Sequence, residues 1–78
     1  MSNLTNEANI AELLEKTLQS IDEDIIANIR IARTLKTHPA GIVFNGILVY
    51  ADTRLEGTGA SPDDVVKLAQ LIWEKATP

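Results

Sequence analysis

The sequence predicts an α+β fold: a long N-terminal helix, a β-hairpin turning at Asn45-Gly46, and a C-terminal helix. Three observations carry this. Apolar residues recur every three to four positions through the first part of the chain. Two runs rich in β-branched and aromatic residues flank an Asn-Gly pair. Ser61-Pro62-Asp63-Asp64 then introduces a last amphipathic stretch. The same residues also allow an all-α helical bundle, in which residues 40–56 form a third helix.

The elements follow in order. Residues 1–5 read as a frayed start. From 6 to 36, Ile10, Leu14, Leu18, Ile21, Ile25, Asn28, Ala32 and Leu35 keep one stripe on one helical face. Ser20 and Glu23 fit a capping box that would start a new helix, yet the stripe crosses that point in phase. One helix over 6–36 is therefore the expectation, about 45 Å long at about 1.5 Å per residue. A helix of that length outruns a small domain and calls for a second copy of the chain to lie against. Asn28, the polar member of the stripe, is a candidate for fixing register in such a pairing. Pro39 ends the helix, because it lacks an N–H and disfavours helical geometry at His38.

Strands are expected over 41–44 and 47–55. A two-residue loop sets Phe44, Ile47, Ile42 and Val49 on one face, and Val43, Leu48, Gly41 and Tyr50 on the other. Both faces are apolar, so the hairpin needs cover on both sides or a partner along its edge. Against the hairpin, Phe44, Ile47, Leu48, Ala51 and Leu55 also stand at helical spacing, with Gly57 placed to end a helix. Gly57-Thr58-Gly59-Ala60 reads as a loop. The last helix is expected over 62–75, with Val65, Leu68, Ala69, Ile72 and Trp73 as its buried stripe.

Composition narrows the function. A single domain is all that 78 residues can build, and a chain this short is marginal without a disulfide, a metal or a partner subunit. The sequence has no cysteine and one histidine. Disulfides are excluded, and no metal site or cofactor is expected. Self-association or an efficient helical core is the remaining route. The net charge of −4 disfavours nucleic acid and anionic membranes as partners. The charge is uneven: residues 1–24 carry six acids against Lys16, and residues 25–54 four bases against Asp52. No stretch approaches the about 20 apolar residues of a membrane span. The polar, acidic N-terminus lacks the pattern of a targeting peptide, so a cytoplasmic location is expected.

No spacing of Ser, His and Asp suggests a catalytic set, and no enzymatic activity is expected. Gly57-Thr58-Gly59 precedes a helix but lacks the lysine of a phosphate loop, and Asp63 and Asp64 would repel an anion there. The candidate ligand or partner residues are Arg30, Arg33, His38, Tyr50, Asp52 and Arg54. Arg30 and Arg33 share a helix face, and arginines beside a tyrosine suit phosphate, carboxylate or base recognition. Asp52 and Glu56 could instead pair with them as salt bridges. The candidate oligomer interface is Leu18, Ile21, Ile25, Asn28, Ile42, Phe44, Ile47 and Val49. The function expected is a small non-enzymatic module, regulatory in kind, that homo-oligomerises and binds or inhibits a protein partner. The alternative is an oligomeric binder holding an anionic, phosphate- or nucleotide-like small molecule between subunits.

Overall fold

The computed structural model describes residues 6–78, with side chains from Asn9 onward. The fraying expected of residues 1–5 lies outside the described residues. Within them the chain is all-helical: α1 (Asn6–Gln19), α2 (Glu23–Leu35), α3 (Ala40–Arg54) and α4 (Pro62–Lys75). The α+β expectation is corrected, since the described residues contain no strand and residues 40–54 form one helix in place of the hairpin. The single helix over 6–36 is corrected as well, because it is two helices.

Why α3 is a helix follows from what each pattern can bury. As a helix it sends Ile47, Ala51 and Leu55 into the core, each at most 3% exposed. Fully burying an Ile or Leu side chain contributes about 1.5–3 kcal/mol. A glycine inside a helix costs about 1 kcal/mol relative to alanine, so Gly46 is outweighed. The hairpin would have offered two apolar faces and left at least one of them wet. The Asn45-Gly46 pair sits on the exposed side of α3, where its poor helix propensity disturbs no packing.

The break between α1 and α2 is made by short polar side chains. Ser20 Oγ donates to Thr17 O (2.8 Å) and closes the end of α1. Asp22 then caps α2, its carboxylate accepting from Asp24 N–H at 2.9 Å. Ile21, between them, is buried. The cap therefore falls on Asp22, two residues beyond the Ser20 that the sequence pattern suggested. At the other end of α2, Lys36 takes a left-handed conformation (φ 54°). Thr37, His38 and Pro39 follow, and α3 begins with Pro39 at its cap position and no side-chain cap.

α4 is the central element. Leu68, Ala69 and Ile72 are wholly buried, and α1 and α3 both pack on it. Phe44 near the start of α3 meets Trp73 near the end of α4, edge to face at 5.6 Å. The pair is thus an antiparallel αα-hairpin. Its loop uses Gly57 and Gly59, both at positive φ (78° and 83°). The start of α4 is a complete capping box: Ser61 Oγ accepts from Asp64 N–H, and the Asp64 carboxylate accepts from Ser61 N–H. The bundle is elongated, 48 × 20 × 17 Å. Its radius of gyration is 13.4 Å, against about 11.5 Å for a compact chain of this length.

Candidate functional site

The arginines expected to form one anion site belong to two separate structural clamps. At one end of the bundle, Arg33 of α2 reaches the last turn of α4. Its Nη1 donates to Trp73 O (2.7 Å) and Ala76 O (3.2 Å), and its guanidinium lies 3.6 Å from the centroid of the Trp73 ring. Arg30 Nη2 donates to Lys75 O at 3.1 Å. The last carbonyls of a helix lack intrahelical donors and form its negative pole. Two cations from α2 satisfy them here, and a cation–π contact on Trp73 adds to the clamp.

At the other end, Arg54 donates to Tyr50 Oη (2.7 Å) and to Ser20 Oγ. Tyr50 and Arg54 meet because they are four apart on a helix, not because they share a strand face. Arg54 thereby ties α3 to the corner between α1 and α2. Phe44, at the Arg33 end, and Arg54 are ten residues apart on α3, about 15 Å along the axis. No single site collects all three arginines.

Asp52 and His38 are exposed. His38 Nδ1 lies 3.3 Å from Thr37 Oγ1. Asp52 pairs with none of the arginines: among the described residues the one ion pair is Glu12–Lys16. The described residues also hold no group of His, Asp and Glu that could bind a metal. No described helix is long and apolar enough to cross a membrane.

The expected interface residues divide. Ile21 and Ile47 are core, while Leu18, Ile25 and Phe44 are half-buried against it, all within one chain. Asn28 is exposed. Ile42 and Val49 stand out in solvent, 59% and 61% exposed. They lie on the side of α3 opposite Ile47, Ala51 and Leu55, since successive residues turn by about 100°. Asn45, Gly46 and Thr53 complete this outer face, all exposed.

No packing among the described residues requires a glycine at position 46. A Cβ built on it meets nothing within 4 Å, and its φ is not positive. It nevertheless carries the helix cost of about 1 kcal/mol. Val49 also lines an open hollow of about 410 Å³ with Leu48, Ala60, Pro62, Val65 and Val66, with Asp52 as its charged member, so apolar surface continues from α3 onto the start of α4. Val66 is itself 40% exposed.

Some of this was out of reach of sequence reasoning. Trp73 as the platform for Arg33, Ser20 as an acceptor for Arg54 and Gly46 as a bare point on an apolar face were all missed. Only Gly46 had a signal, visible on a helical wheel of residues 40–54. Comparison with protein families, curated proteins and solved structures finds no match to this chain. Its function is read from the site itself.

Proposed function

We propose that this chain is a small non-enzymatic interaction module that self-associates, and that it binds or inhibits a protein partner in the cytoplasm. The observation that carries the reading is the outer face of α3. A helix that is apolar all round belongs in an interior, and α3 bears no charged residue from Ala40 to Ala51. Its inner side is covered by α4 and α2. Its outer side, with Ile42 and Val49 more than half exposed, is covered by nothing among the described residues.

The reading as non-enzymatic is supported by composition, with one histidine and no cysteine available for acid–base or nucleophilic work. The arginine donors that a small anion would need face backbone carbonyls and neighbouring hydroxyls, which favours the interaction module over an anion binder. Sedimentation or light scattering over a dilution series tests the proposal. A molar mass above that of one chain, falling on dilution, is the expected result. A folded monomer at every concentration overturns it.

A further inference from the structure

The outer face of α3 fits one occupant best, and that is itself. We propose that two copies pair through α3 in an antiparallel, isologous contact that crosses between Asn45 and Gly46, with Asp52 of each copy lying at the uncapped start of α3 in the other. This rests on the self-association proposed above and gives it a geometry.

An isologous contact sets one patch against the same patch. A charge near the two-fold axis would face its own copy, and the run from Ala40 to Ala51 has none. Of the large apolar residues exposed on the described surface, Ile31 and Leu35 lie on α2 and Val66 on α4, and the two on α3, Ile42 and Val49, are centred on the Asn45–Gly46 junction. An antiparallel crossing there places Ile42 against Val49 of the partner subunit, and the reverse. Asn45 meets Gly46 of the partner subunit, where the missing side chain leaves room for the amide. This gives Gly46 the purpose it lacks within one chain, since a bare backbone lets two helices approach near the lower end of the about 8–10 Å packing range.

Charge complementarity selects the antiparallel sense. The start of α3 has no side-chain cap and no acid in its first turn; the Ile42 and Val43 N–H donate to Pro39 O, which leaves those of Ala40 and Gly41 without an acceptor among the described residues. Exposed Ala40 and Gly41 lie there, just after the turn that carries Lys36 and His38. The far end of the same face carries exposed Asp52 and then Glu56. Counting outward from the crossing, Asp52 stands opposite Pro39 and Ala40 of the partner subunit. Glu56 stands beside the Lys36 turn of the partner subunit. Each acid meets a positive helix pole or a base, twice over by symmetry. A parallel pairing would set acid beside acid and leave both poles bare.

The chain contains no cysteine, so single cysteines report the geometry cleanly. Asn45→Cys lies within about one helical rise of the crossing, and disulfides form when Cα atoms approach within about 7 Å. Thr53→Cys is seven to eight positions away, so its two copies lie about 22 Å apart along the axis. Both are compared under mild oxidation with the unmodified chain in sedimentation. Gly46→Leu, placed in open space and a better helix former, serves as the blocking variant, with circular dichroism to show that it folds.

The expected result is self-association of the unmodified chain, covalent dimer from Asn45→Cys and not from Thr53→Cys, and at least tenfold weaker association of Gly46→Leu. Self-association without the Asn45→Cys cross-link, or with Gly46→Leu unimpaired, overturns the α3 pairing while the self-association reading stands. A folded monomer at the highest concentration tested overturns both, and leaves the face to a different protein.

Discussion

α4 begins at Ser61, whose hydroxyl and N–H are both engaged by Asp64. It ends under Arg30 and Arg33, which take its last carbonyls. Its inward residues Leu68, Ala69 and Ile72 are buried completely, and its outward side is polar apart from Val66. α3, lying against it, has none of this finish. It starts without a side-chain cap, it has glycine in its middle, and it carries Ile42 and Val49 on the side that faces water as well as apolar residues on the side that faces the core. Both ends of α4 are satisfied within the described chain, whereas α3 has no side-chain cap at its start and no cover over Ile42 and Val49 among the described residues. The difference separates what folds this protein from what the protein presents.

The comparison is broken most severely at α4. Ile72 is fully buried, and Ile72→Ala removes core volume from α4, the helix on which α1 and α3 both pack. The expected loss is about 2–5 kcal/mol, read as a fall in the urea midpoint at constant slope. Against a total of about 5–15 kcal/mol for a small domain, the variant is on the edge of folding. A loss under about 1 kcal/mol would show that the site collapses around the gap and that α4 is not the keystone. Ile42→Ala is the partner measurement on α3. In the monomer it changes stability by less than about 0.5 kcal/mol, as surface substitutions do.

Next in size is the clamp. Arg33→Ala frees two carbonyls and strips the face of Trp73. Hydrogen bonds to charged groups contribute about 1.5–3 kcal/mol each in favourable sites, and the remaining exposure of the residue lowers this to an expected about 1–3 kcal/mol in chemical denaturation. Arg33→Lys should recover only part of it. An ammonium is a point donor and cannot bridge both carbonyls while lying flat on the indole. Full recovery by lysine would reduce the clamp to simple charge at a helix end.

How much of this could be read from the chain depends on how local its cause is. The start of α4 is written in four adjacent residues, and Pro39 marks the boundary between α2, which ends at Leu35, and α3, whose cap position it takes. The corner at Ser20–Asp22 is local too, yet the in-phase stripe through Leu18, Ile21 and Ile25 concealed it. Ile21 stays buried when the chain turns there, so periodicity and a break coexist. The hairpin reading failed for a different reason. Asn45-Gly46 is a strong turn signal, and Phe44, Ile47, Leu48, Ala51 and Leu55 are an equally good helical stripe. The choice falls to Leu68, Ala69 and Ile72, more than a dozen residues downstream, which provide a helix to pack against.

The contacts of the candidate arginines were illegible for a third reason. Arg30 and Arg33 do share a face, but their partners are backbone carbonyls of Trp73, Lys75 and Ala76. A carbonyl has no letter in the sequence, so nothing marked it as the destination. Tyr50 and Arg54 come together as expected but by helical spacing, and the acceptor that completes their contact, Ser20, is 34 positions away from Arg54.

A smaller effect tests the self-capped end of α4. Ser61→Ala removes the acceptor for Asp64 N–H and is expected to cost about 1 kcal/mol. Asp64→Asn keeps a side chain of the same shape and tests how much of the box depends on charge at the positive helix pole. Thermal melts at low and moderate salt separate the two, since the dipole part is screened and the hydrogen bond is not. Equal losses at both salt concentrations would assign the cap to hydrogen bonding alone.

The smallest expected change has the opposite sign. Gly46→Ala adds a methyl group into open space and removes the conformational freedom of glycine from the unfolded chain, for a gain of about 0.5–1 kcal/mol. The gain is expected in dilute solution, where single chains are measured. If α3 folds for its own chain alone, alanine improves stability equally at every protein concentration. If the bare backbone at 46 serves a second helix, the gain shrinks as concentration rises, because the glycine chain is then stabilised by association that alanine weakens. The slope of melting temperature against concentration, compared between Gly46 and Gly46→Ala, therefore reads the purpose of one hydrogen atom. Parallel slopes would make Gly46 an unremarked flaw in α3, and a shallower slope for the alanine chain would make it a contact point.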